Sequence, residues 1–238
     1  MTPHTNTDQE QIYQLLEQEI LRFVHKPGEL LSEHYLCERF SISRTPVRSI
    51  LQRLQENGLV QILPRKGSIV TRLDYDIINQ FIYERVAVES MVLRDFIVSC
   101  TPVDVERVRF SFSRLQALGQ IYFDDPAHFD VHSFRTADLS MHEIWFRATN
   151  KRFLWAHLSG TQASYTRFCT LDIIEGSNVQ DVLRDHEDML RMIDARDVSG
   201  IEALMHRHLY GGIRRMGALV FTKYADYFEP IEPTTAAT

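Results

Sequence analysis

A chain of 238 residues, 44% of them hydrophobic, is long enough to bury a sizeable core in one or two domains. Its formal charge is −6, its three cysteines (Cys37, Cys100, Cys169) stand far apart and outside any CxxC pair, and no uncharged apolar run approaches the ~20 residues of a membrane span. Those features argue against a disulfide framework, a thiolate zinc site and a membrane-spanning class, and because MTPHTNTD has no basic start or apolar core, the expected location is cytoplasmic.

Charge is unevenly spread. Residues 1 to 73 hold nine Lys and Arg against eight Asp and Glu, about +1, which leaves −7 for residues 74 to 238. Residues 39 to 72 alone carry seven basic groups and one acid, Glu56. On an acidic chain that concentration suits a polyanionic partner, although a solvated basic face would look the same by charge alone.

In chain order, Ile12, Leu15, Leu16, Ile20 and Phe23 follow helical spacing up to Pro27 and Gly28. Ser32 can cap a short helix to Phe40, with Tyr35 and Leu36 facing inward, and SIS makes a turn. Thr45 as a cap and Pro46 at the first helical position start a third helix that buries Val47, Ile50, Leu51 and Leu54 and stops near Asn57 and Gly58. VQIL and SIVTR, joined by PRKG, read as a two-stranded hairpin. Three helices and a hairpin make a winged helix-turn-helix. From Tyr75 onward the chain reads as helix with short breaks, over 75–99, 102–118, 128–149, 151–170, 179–195 and 198–224, with EPIEPTTAAT as a frayed tail. The expected fold is therefore mainly α, with residues 1–73 as a winged helix-turn-helix domain and 74–238 as an all-α antiparallel bundle.

On the third helix Arg48, Gln52 and Gln55 share the face opposite the apolar stripe, and Arg44 precedes the helix. Residues so placed can enter the major groove, where an arginine donates two hydrogen bonds to guanine, discriminating by roughly 1 to 3 kcal/mol. Ser43 and Thr45 offer hydroxyls to phosphates, and Arg65, Lys66 and Gly67 form a wing tip able to approach the backbone.

At these residues the sequence resembles the GntR family of bacterial transcription regulators, through PGELLSE at 27–33, SRTPVR at 43–48 and NGLVQILPRKGSIV at 57–70. The resemblance implies base contacts from Arg44 and Arg48, phosphate contacts from Ser43 and Thr45, and minor-groove contacts from Lys66 and Gly67. The pattern departs from the family at His34, where one branch has arginine, and at Ser49, which replaces a usual glutamate.

In the acidic half, Asp138 and His142 are four residues apart on one helix face, shared with Phe134 and Trp145. His186 falls on the stripe of Val182, Leu183, Met189, Leu190 and Ile193, and His208 lies beside Leu204 and Met205, with His206 on the opposite side. His128 and His132 read as exposed. Three imidazoles and one carboxylate on apolar faces are costly to bury unless they share partners. Together they would suit a transition ion, although each inward histidine taken alone is more often a hydrogen-bonded core residue than a ligand.

This half resembles the FCD ligand-binding domain of the FadR-type branch of the GntR family, whose metal-binding members carry DxxFH followed by two further histidines. Asp138 and His142 match with Met141 in the phenylalanine position, His186 sits in DHEDMLRMIDARD and His208 in LMHRHL. The resemblance implies a divalent transition metal, zinc first with nickel or manganese as alternatives, held by Asp138, His142, His186 and His208. It implies also a small organic-acid effector near the metal, with Arg85, Arg167 and Arg215 as candidate contacts, and a homodimer on a pseudo-palindromic double-stranded DNA operator, more commonly as a repressor than an activator. For Arg85 an internal salt bridge to Glu89 is the competing role; for Arg167 and Arg215 it is an exposed cation. Two other functions stay open: a metal-dependent enzyme using the Asp and His cluster, and a metal-free helical dimerisation module.

Overall fold

The computed structural model describes residues 6–160, 162–175 and 178–230. The expected tail lies mostly outside the described residues, as does part of the EGS break at 175–177. The chain divides into two compact units. The first runs to Ile78 and includes the stretches that end at Phe168 and begin at Ala218; the second comprises Asn79–Gly160 and Cys169–Gly217. The first unit thus holds more than residues 1–73.

In the first unit α1 (Asn6–Leu21), α2 (Glu33–Phe40) and α3 (Arg44–Glu56) surround a core of Leu16, Ile20, Leu36, Val47, Ile50, Leu51 and Leu54. Full burial of such side chains favours folding by about 1.5–3 kcal/mol each. Ser32 caps α2 by accepting from the Tyr35 amide at 3.1 Å. Tyr35 itself is 47% exposed, against expectation, because Leu36 alone fills the inward position of this single-sided helix. Helix α3 begins at Arg44, so Thr45 and Pro46 stand inside the first turn, where a proline forfeits no intrahelical bond.

The wing is β2 (Val60–Leu63) and β3 (Gly67–Val70), antiparallel, with Val60 opposite Val70 and Leu63 opposite Gly67. A two-residue strand, β1 (Leu30–Leu31), completes the sheet in the order β1-β3-β2. Gly67 has φ +104°, and a β-carbon there would lie 3.3 Å from Leu30 Cδ1. The glycine is therefore required by the sheet itself.

The second half is helical throughout: α4 (Tyr75–Ser99), α5 (Pro102–Asp124), α6 (Val131–Ala148), α7 (Arg152–Ser159), α8 (Ala163–Ile174), α9 (Asn178–Ala195), α10 (Ile201–Leu209) and α11 (Gly211–Met216). Thr101 and Asp104 form a reciprocal capping box at the start of α5. This helix runs past Leu118 because Gly119 is a packing position rather than a stop: a β-carbon there would meet Leu183 Cδ1 of α9 at 2.8 Å. It packs on both α6 and α9, and α9 in turn on α10. The expected helix 151–170 is split between α7 and α8, and 198–224 is broken at Tyr210 and Gly217, after which a 3-10 turn covers Gly217–Phe221. No helix among the described residues is long and apolar enough to cross a membrane.

Candidate DNA-reading face and metal centre

The turn between α2 and α3 places Ser43, Arg44, Thr45 and Arg48 on the surface of the first unit, with Arg65 and Lys66 exposed at the wing tip. Ser43 makes no side-chain capping bond, which leaves its hydroxyl outward. Arg48 donates from Nε to both oxygens of Glu33, at 2.9 and 3.1 Å, so its guanidinium is oriented by the first residue of α2. Gln55 does not join this face: its Oε1 accepts from the Ile62 amide at 2.8 Å and ties α3 to the wing. Two of the seven basic residues are likewise spent internally. Arg39 grips Glu19 with both Nη groups, and Arg53 pairs with Glu10 at 2.8 Å while lying 4.0 Å over the Tyr13 ring.

In the second unit, Asp138 and His142 from α6, His186 from α9 and His208 from α10 converge. One ligand atom from each lies within 4.8 Å of all the others. The one-sided hydrophobicity of each helix brings this about: His142 and His186 are fully buried on the same stripes as Phe134, Met141 and Trp145, and as Met189 and Ile193. Met141, the departure from the DxxFH pattern, is buried beside the cluster as an apolar neighbour. His128 is exposed and His132 half-buried, while His206 stacks on Tyr210 away from the cluster.

The outer ring nitrogens have partners of their own. His142 Nδ1 faces Glu89 of α4, and His186 Nδ1 is 2.8 Å from the Val182 carbonyl. An ionised carboxylate and a carbonyl can only accept, so both Nδ1 atoms carry hydrogen, and each ring in its neutral form turns a bare Nε2 to the centre. There the two Nε2 atoms stand 3.2 Å apart, and Asp138 Oδ1 is 3.3 Å from that of His186. His208 turns Nε2 to Asp138 at 4.0 Å and Nδ1 to the buried Asp185 at 3.7 Å. Asp138 Oδ1 is buried without a hydrogen-bond donor.

Electrostatics reinforce the arrangement. Burial drives the His186 pKa down to about 3, against the pull of Asp138, so the ring is neutral at pH 7. Burial opposes the Glu89 carboxylate, but Arg85 and His142 outweigh it and hold that pKa at about 2. Two lone pairs and an orphaned carboxylate oxygen at these separations repel unless a cation lies among them. Ligands ~2.0–2.1 Å from a tetrahedral ion stand roughly 3.3 Å apart, and the shorter spacings observed match that. The donor set fits a divalent transition ion.

The three arginines separate. Arg85 is buried against Glu89, four residues on, and so belongs to the cluster's surroundings as half of an ion pair. Arg215 is engaged by Asp172 at 2.7 and 3.0 Å and by Asp181 at 3.0 Å, binding α8, α9 and α11 together. Arg167 belongs to the first unit and is not the exposed cation the sequence allowed. Fully buried, it donates to the Thr71 carbonyl at 2.6 Å, the Thr71 hydroxyl at 2.9 Å and the Ala163 carbonyl at 3.2 Å, and burial lowers its pKa to about 10. Its donors hold the segment just after the wing. Glu89 and Asp185 were missed as parts of the site, since each meets its histidine through tertiary structure rather than local spacing.

Comparison with known proteins agrees with both halves. Residues 8–70 match the family of bacterial regulatory proteins called gntR, and residues 82–211 match the FCD domain. The chain belongs to the gntR family and carries an FCD domain. Relatives of this regulator include the HTH-type transcriptional regulator YdfH of Escherichia coli, 27% identical over 209 residues that cover 87% of each chain. The HTH-type transcriptional repressor RspR of Escherichia coli is 27% identical over 84% of this chain and 85% of its own. The gluconate operon transcriptional repressor of Bacillus subtilis is 23% identical over 77% and 70%. Escherichia coli McbR/YncC shares the fold at a TM-score of 0.64 with 18% identity, covering 91% of this chain and 98% of that one. A transcriptional regulator GntR from Rhodococcus shares it at 0.62 and 19%, covering 90% and 99%. The families and relatives are those of DNA-binding transcriptional regulators, not enzymes.

Proposed function

We propose that this regulator acts as a homodimeric repressor on a pseudo-palindromic operator, and that a divalent metal held by Asp138, His142, His186 and His208 helps it sense a small organic acid. The observation that carries the metal reading is the 3.2 Å approach of two inward Nε2 atoms beside the unpartnered Asp138 Oδ1. Zinc suits three imidazoles and a carboxylate best, with nickel and manganese as alternatives. When bound, the metal supplies a positively charged anchor for an anionic ligand.

In the head, Arg44 and Arg48 read base edges, Ser43 and Thr45 hold phosphates, and Lys66 and Gly67 bring the wing to the backbone. Two heads must address half-sites about one helical turn apart. An effector releases DNA only to the extent that it prefers the head geometry that cannot span them. Arg85 keeps its place beside the metal ligands through Glu89, while Arg167 and Arg215 serve as internal braces.

The test is to incubate the purified protein with fragmented genomic DNA of its host, with zinc or with a chelator, and to sequence what is retained. Enrichment of a short palindrome is expected, and candidate effectors follow from the genes beside it. Absence of enrichment at moderate salt under both conditions would refute operator binding. Identical enrichment and effector response with zinc and with chelator would refute the metal's part in sensing.

A further inference from the structure

We infer that Glu89 is a positioning residue for the metal centre, acting through His142; this rests on the metal reading above. Glu89 and His142 are separated by 53 residues, sit on α4 and α6, and are both fully buried. One Glu89 oxygen accepts from Arg85 Nε and the other from His142 Nδ1. If the carboxylate existed only to neutralise Arg85, its second oxygen would have no reason to meet a ring whose opposite nitrogen faces His186 and Asp138.

Two of the imidazoles, His186 and His142, are oriented in different ways. His186 donates to the Val182 carbonyl, a main-chain group four residues back on its own helix, so its tautomer is set by helix geometry. His142 takes its orientation from the Glu89 side chain. Without that acceptor the Nδ1 hydrogen would be buried without a partner, and the ring could exchange tautomers and turn its bare nitrogen away from the centre. The negative charge also raises the donor strength of Nε2, as carboxylates behind metal-bound histidines commonly do. Arg85 donates to the other Glu89 oxygen through Nε, so the pair Arg85–Glu89 fixes the acceptor that orients His142.

The test is titration of the full chain with cobalt(II), following visible absorption and competition with a chelator, for wild type, Glu89→Gln and Arg85→Met/Glu89→Gln. The double variant removes both charges and leaves no buried cation unpaired. A cobalt affinity weakened roughly ten- to hundredfold is expected in both variants, with altered absorption bands. Melting of the chelated forms reports whether the fold is retained. If Glu89 only neutralises Arg85, the double variant binds cobalt as wild type does, and the proposal is overturned while the metal site stands. If wild type itself binds no cobalt, the metal reading and this proposal fall together.

Discussion

Removal of the Arg48 side chain should act on DNA binding in two separable ways. Its guanidinium is 65% exposed and steadied through Nε by Glu33, which leaves the Nη edge to the base face. Loss of a bidentate guanine contact lowers discrimination by roughly 1–3 kcal/mol, about 5- to 150-fold in the ratio of operator to random DNA. Arg48→Ala also strips Glu33 of its counter-charge at the DNA face, which lowers affinity for every sequence. That second effect resembles the loss of one phosphate contact, roughly 3.5-fold between 50 and 200 mM salt. Fluorescence anisotropy on operator and scrambled duplexes across a salt series separates the two. Lys66→Ala is the comparator, expected to flatten the salt slope by about one while leaving the ratio intact. An unchanged ratio in Arg48→Ala would refute the assignment of α3 as the reading helix.

Two further outcomes follow from the structure. Chelation should lower the melting temperature: metal at a hundredfold its Kd stabilises by about 2.7 kcal/mol, roughly 5–11 °C for a unit of this size, and an unmoved transition would argue for a metal-free domain. The hydrogen bonds from Arg39 hold the Glu19 pKa below its ordinary value, against the opposing effect of burial. That contribution is complete above the ordinary glutamate range and is lost as pH falls through the lower folded pKa. Glu19→Gln should therefore lower stability at neutral pH and flatten its acid dependence, read by circular dichroism melts from neutral pH to about 3; an unaltered acid slope would deny the pair its role.

Strong periodic segments could be read from the sequence. The stripe Val47, Ile50, Leu51 and Leu54 and the span of α4 needed only spacing and end signals, and so did the inward faces of His142, His186 and His208. β1 was not legible, because two residues carry no period and become a strand only by pairing with β3. The break after α7 was signalled by Ser159 and Gly160, but no proline follows to stop a helix there. Gly119 would suggest a stop by composition, yet it marks close helix contact. Arg167 looked like a free cation because Thr71, which accepts from both its Nη groups, lies almost a hundred residues earlier. Glu89 looked half explained, since Arg85 was visible four residues before it and His142 was not.

The wing tip carries one more implication. Arg65 adopts φ +64°, a left-handed conformation that costs a non-glycine residue roughly 1–2 kcal/mol. Glycine or asparagine would relieve that strain, so selection for heat tolerance would drift toward Arg65→Gly. The same exchange would strip a cation from the wing tip proposed to approach the duplex. Thermal robustness and grip on DNA therefore compete at a single backbone torsion, and a stabilised form of this regulator should be checked for operator occupancy before it is taken as an improvement.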